Sequence, residues 1–120
     1  MPPDLIRLLE FDKDMKRLKK RFRTLEEDLE VFIKSALIPF HEEGTDYGGI
    51  VEISDIGIEC PSLYKVRRFA CRALKGRGNQ SGIRIIYAYF KDQNRIELVE
   101  VYFKGDKANE DRKRILSKYA

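Results

Sequence analysis

Residues 83–90, Ile-Arg-Ile-Ile-Tyr-Ala-Tyr-Phe, constrain the fold more than any other stretch of this sequence. A β-branched and aromatic run of this length, bounded by turn signals, predicts a strand buried on both faces. Such a strand needs a packed layer on each side of its sheet. Arg84 is its one awkward residue, because an arginine is rarely placed in a buried strand without a partner. Two readings stay open: Arg84 sits at the strand end and pairs with a carboxylate, or it projects from the sheet into a basic cleft.

The run closes a longer stretch, residues 60–91, that carries eight Lys and Arg and no Asp or Glu, in a chain that is 37% charged. The cations are Lys65, Arg67, Arg68, Arg72, Lys75, Arg77, Arg84 and Lys91. Their lack of compensating acids points to an anionic ligand. Between them, residues 75–82 read as a glycine-rich basic turn, since glycine permits the positive φ and close backbone approach such a turn needs. The charge balance is +4 over residues 1–25, −9 over 26–59, +8 over 60–91 and +1 beyond. Folded compactly, this partition makes a two-faced molecule whose basic face attracts polyphosphate.

Length bounds the rest. The 120 residues suffice for a single domain, 1–120, with a true core. No leader pattern and no membrane-length apolar run is present, so a soluble cytoplasmic protein with no membrane contact is expected. Cys60 and Cys71 read as small hydrophobes or bystanders, with a disulfide between them left open.

In chain order, residues 5–11 read as a short strand, followed by an N-cap at Asp12. Apolar residues at Met15, Leu18, Phe22, Leu25, Leu29, Phe32 and Ala36 alternate steps of three and four, which predicts one apolar helical face. Thr24 and Glu27 fit a capping box, so two helices in a hairpin are expected, the second ended by Pro39. Glu26, Glu27, Asp28 and Glu30 suit that helix's N-terminal dipole and need no catalytic role. Residues 40–62 read as loop with an edge strand at 50–53, and 63–71 as a strand. Residues 83–90 and 96–103 form a hairpin across the polar turn 91–95. Asp106 or Asn109 then caps a short final helix ending near Lys118. The expected fold is α+β: an N-terminal helical hairpin and a short C-terminal helix, both on one face of a small, mainly antiparallel sheet.

The hairpin, the strand at 64–69, the run Ser81-Gly82-Ile83-Arg84-Ile85-Ile86-Tyr87 and the strand end Tyr102-Phe103-Lys104-Gly105-Asp106-Lys107 resemble the RelE/ParE superfamily of toxins from toxin–antitoxin pairs. In its RelE branch the resemblance implies a ribosome-dependent endoribonuclease that cuts mRNA and is silenced by a cognate, acidic antitoxin protein. It implies that Arg84 is the arginine of the central strand and that Lys75 and Arg77 are the basic pair before it. Lys104 or Lys107 stands where the RelE pattern has an arginine. The C-terminal helix lacks the early tyrosine.

The chemistry of the residues agrees. Attack of a 2′-OH on the adjacent phosphate builds charge on phosphoryl oxygens, which fixed Lys and Arg donors stabilise most in the transition state. Candidate catalytic residues are therefore Arg84, Lys75, Arg77 and Lys104. Lys65, Arg67, Arg68, Arg72 and Lys107 are candidates for nucleic-acid binding. With one histidine, no paired aspartates and no Cys–His combination, metal and nucleophilic sites are not expected, nor is a cofactor. Tyr64, Tyr87, Tyr89 and Tyr102 read either as stacking platforms for bases or as strand packing. Three functions stay open: an mRNA interferase, a toxin of the same fold acting by binding a target such as gyrase, and a basic nucleic-acid-binding domain unrelated to toxins.

Overall fold

The computed structural model describes all 120 residues. Five strands, β1 (Asp4–Arg7), β2 (Ile50–Glu52), β3 (Ser62–Val66), β4 (Ile83–Phe90) and β5 (Arg95–Phe103), form one sheet in the order β1-β5-β4-β3-β2. All neighbours are antiparallel except β1, which runs parallel to β5. The helices are α1 (Leu9–Lys19), α2 (Leu25–Phe32), α3 (Ile38–Glu43) and α4 (Arg112–Tyr119). No helix is long and apolar enough to cross a membrane.

The central strand is buried on both faces. Ile83, Ile85 and Tyr87 join Phe11, Met15, Leu18, Phe22, Leu25, Leu29 and Phe32 in the larger core, under the N-terminal helices. Ile86 and Ala88 turn the other way and join Leu63, Val99, Tyr102 and Ile115 in a smaller core. The final helix thus covers the opposite face from the hairpin, and the expectation of helices on a single face is corrected. The second layer follows from β4 itself, whose alternate apolar residues also need cover.

A bulge in β5 assists. Ile86 faces Glu100 and Tyr87 faces Leu98, so Val99 is the extra residue. Glu100, 1% exposed, accepts from the Asp111 backbone at 2.8 Å and pairs with Lys107. Asp14 of α1, 2% exposed, receives Arg114 at 2.7 Å and the Val101 backbone at 3.3 Å. These two buried carboxylates hold α4 and its leading segment to the sheet.

Several boundaries differ from the sequence reading. Residues 8–11 leave β1, because Phe11 falls on the apolar face of α1 and is fully buried. Asp12 lies inside α1 and pairs with Arg7 at 2.6 Å. Thr24 does stand at the head of α2, but no capping box forms there. Its hydroxyl donates to Asp28 at 2.7 Å, while Glu27 turns out to Arg72. Pro39 does not end the second helix. A π-helical segment, Ile33–Leu37, links α2 to α3, with Ile38 N–H bonded to Ile33 C=O. The wider turn accommodates a proline that supplies no N–H and would crowd an α-helical carbonyl. Gly44, at φ 71°, then closes the helix as a left-handed cap. β3 stops at Val66, short of Cys71. The N-cap of α4 is Asp111, which accepts from Arg114 N–H at 3.1 Å, and not Asp106 or Asn109. Both cysteines are free, Cys71 buried and Cys60 exposed.

Candidate nucleic-acid interface

Arg84 is the second residue of β4 and lies opposite Tyr102. Alternation turns its side chain to the α4 side, but near the strand start, beyond the smaller core. There its guanidinium donates to the Arg67 carbonyl. No carboxylate meets it, so the projecting reading describes its position.

The end of the sheet opens there into a cleft of about 870 Å³ lined by Arg67, Arg68, Arg77, Arg84 and Lys104, with Gln80, Val51, Phe103, Gly48, Gly82 and Gly105 completing the wall. None of the five cations is in an ion pair. No carboxylate or histidine lines this cleft. Five like charges repel one another without counter-ions, so the arrangement favours an anion of more than one charge.

Backbone ties fix the segments that carry the cations. The Arg67 N–H donates to Gly49 C=O at 2.7 Å and the Lys104 N–H to Gly82 C=O at 2.8 Å. Arg77 donates to the Ser81 carbonyl at 3.2 Å. Ser81 is fully buried; its hydroxyl donates to Phe69 C=O and accepts from Ile83 N–H. The Phe69 N–H meets Asn79 C=O at 2.9 Å. The basic turn is thereby joined to the 67–71 segment, which carries Arg67 and Arg68. Gly82 at φ 88° makes the tight entry into β4 possible. The Arg77 and Arg84 guanidiniums, each held by a backbone carbonyl, need little rearrangement to meet phosphate oxygens.

The other four candidates stand apart. Lys75 is exposed and does not line the cleft. Arg72 clasps α2, through Asp28 at 2.8 Å and Glu27 at 2.8 Å. Burial would raise the Asp28 carboxyl, but hydrogen bonds from Thr24 and Arg72 outweigh it and hold the pKa low. Lys65 pairs with Glu110 at 2.9 Å, the carboxylate being 6% exposed. Burial works against both charges there, yet their mutual bond holds the Lys65 pKa up and the Glu110 pKa down. Lys107 pairs with Glu100. A smaller, mixed-charge cleft of about 430 Å³ shares Arg67, Arg84 and Lys104 with the first and runs on to Lys65 and Glu110.

The tyrosines belong to the packing. Tyr64 and Tyr87 stack with centroids 5.2 Å apart, and His41 Nε2 lies 2.7 Å from the Tyr87 hydroxyl. Tyr89 lies against the His41 ring at 4.0 Å. Tyr102, 4% exposed, sits under Lys107. The aromatic that does line the cleft is Phe103, which sequence reasoning assigned no role. The signal available for it in the sequence was its place at the end of the last apolar run, just before Lys104 and Gly105.

A crystal structure of the archaeal RelE–RelB complex from Pyrococcus horikoshii OT3 matches this fold with a TM-score of 0.50, over 88% of this chain and 98% of that one. The chain has the RelE toxin fold. Identity to that structure is 15%, so the likeness lies in the architecture. No family model matches the sequence, and no curated protein does either. On the RelE fold of this chain, the basic cleft sits where β4 begins and β5 ends.

Proposed function

We propose that this chain is the toxin of a toxin–antitoxin pair and that its basic cleft cleaves messenger RNA on the ribosome. The observation that carries the reading is the convergence of Arg67, Arg68, Arg77, Arg84 and Lys104, all without carboxylate partners, at one end of a RelE-type sheet. Arg84 meets the scissile phosphate, and Arg77 and Lys104 flank it. As the 2′-hydroxyl gives its proton to water and its oxygen attacks phosphorus, the bond to the 5′-oxygen breaks and that oxygen takes a proton from water; charge grows on the phosphoryl oxygens meanwhile and the guanidinium stabilises it. Lys65, Arg72 and Lys107, already paired, support the walls more than they bind RNA. Lys75 reaches RNA only outside the cleft. The partner that silences the cleft is an acidic antitoxin whose disordered segment folds across it, as the cationic surface requires.

A second reading, a toxin of this fold that acts by binding alone, is favoured by one feature. The cleft wall has no histidine or carboxylate to carry a proton. The two part at Arg84. Arg84→Lys and Arg84→Ala are expressed under tight control, their folding confirmed by melting, and growth and mRNA cleavage on translating ribosomes followed. Loss of about 10²- to 10³-fold in cleavage rate with the fold retained is expected. Growth arrest by folded Arg84→Ala sinks the nuclease reading.

A further inference from the structure

The cleft is not only a set of charges. Phe103, half-buried, is the one aromatic side chain in its wall. Its ring packs on Phe22 at 5.0 Å between centroids and lies under the Arg21 guanidinium at 5.3 Å, and neither residue lines the cleft. Arg21 is itself held by Asp106, in the turn after β5, at 2.5 Å.

Two residues of the cleft wall that border the ring lack a side chain. A Cβ on Gly105 would come within 2.5 Å of the Phe103 ring, and one on Gly82 within 3.2 Å. Gly82 adopts φ 88°, whereas Gly105 has no such backbone requirement, so at Gly105 it is the ring alone that excludes a side chain. A half-buried aromatic ring in the cleft wall, packed on Phe22 and bordered by two glycines among cations, matches the needs of an unpaired nucleotide. Its phosphate takes the arginines and its base the ring. Inorganic phosphate has no use for the ring. A duplex keeps its bases stacked inside, where the ring cannot reach.

We propose that Phe103 is the base platform of this cleft, so that the ligand is single-stranded RNA gripped at one unpaired base while the cleft arginines hold its phosphates. The proposal rests on the reading of the cleft as an RNA site, but requires neither cleavage nor the ribosome. It also places recognition on β5, away from Tyr64, Tyr87 and Tyr89, which are committed to the His41 cluster.

The test is binding of a short, fluorescently labelled single-stranded RNA at low salt. It is compared with oligomers made abasic at each position in turn and with a duplex of the same sequence. Wild type is expected to lose roughly tenfold in affinity when one particular base is removed, and to bind the duplex more weakly than the single strand. Phe103→Leu should lose that single-position preference while keeping the salt dependence of the phosphate contacts, and Phe103→Tyr should retain it. Equal binding of all abasic oligomers by wild type overturns the proposal even if Phe103→Leu fails to fold. So does a Phe103→Leu protein that keeps the preference. Absence of any RNA binding overturns the RNA reading of the cleft as well, which separates the two failures.

Discussion

Arg72 and Arg84 come from the same acid-free stretch and meet opposite circumstances. Arg72 reaches Asp28, a carboxylate 6% exposed, and ties the 67–72 segment to α2. Removing it leaves that carboxylate buried without its cation, so Arg72→Ala should lower the melting temperature measurably, whereas Arg84→Ala should not. His41 makes a further residue-level prediction. Burial depresses its pKa from the ordinary 6.5 to about 4, so between those values the folded state binds fewer protons than the unfolded chain. The stabilisation is complete above pH 6.5, falls as pH is lowered, and reaches its floor near pH 4. Allowing for the partial exposure of the ring, roughly 2 kcal/mol of stability should disappear across that window. Denaturant melts at pH 7 and pH 4.5 check it: His41→Leu should flatten the difference, and an unchanged slope would show that another group titrates.

At the scale of elements, periodicity made most of the fold legible. The apolar face from Met15 to Phe32, the buried strand β4 and the hairpin to β5 all follow local spacing, because the repeat that packs a core also marks the sequence. The continuation past Pro39 was not legible, since a π turn relieves the proline by backbone geometry that no residue type announces. The side of the sheet taken by α4 was not legible either. It is decided by Asp14, Arg114 and Glu100, which are far apart in sequence and look like ordinary surface charges. That Arg84 and Arg77 lie together could be anticipated from the Lys75–Arg84 stretch, and both line the cleft. The pairing of Lys65, Arg72 and Lys107 could not, because it depends on carboxylates more than five residues away. Asp14 anchors both α4 and the β5 backbone, so Asp14→Ala should cost about 2–4 kcal/mol and loosen α4 first. Hydrogen exchange should show the amides of α4 losing protection ahead of the β4–β5 hairpin; uniform loss would contradict the anchoring role.

At the scale of the molecule, a net charge of +4 understates the field at the cleft, because the five cations there converge on one site with no acid paired to any of them. RNA binding should therefore respond to salt mainly through the cleft residues. For single-stranded nucleic acid the logarithm of affinity falls with the logarithm of salt with a slope of about −0.7 per phosphate neutralised. Three to five engaged phosphates then give a slope of roughly −2 to −3.5. Replacing Arg67 or Arg68 by Gln should reduce the slope by about 0.7 each. Lys65→Gln and Lys107→Gln should leave it nearly unchanged, because those charges already face Glu110 and Glu100. The contrast between the two sets is the decisive measurement. If the paired lysines shift the slope as much as the cleft arginines, RNA reads the whole basic face and the cleft is not the site.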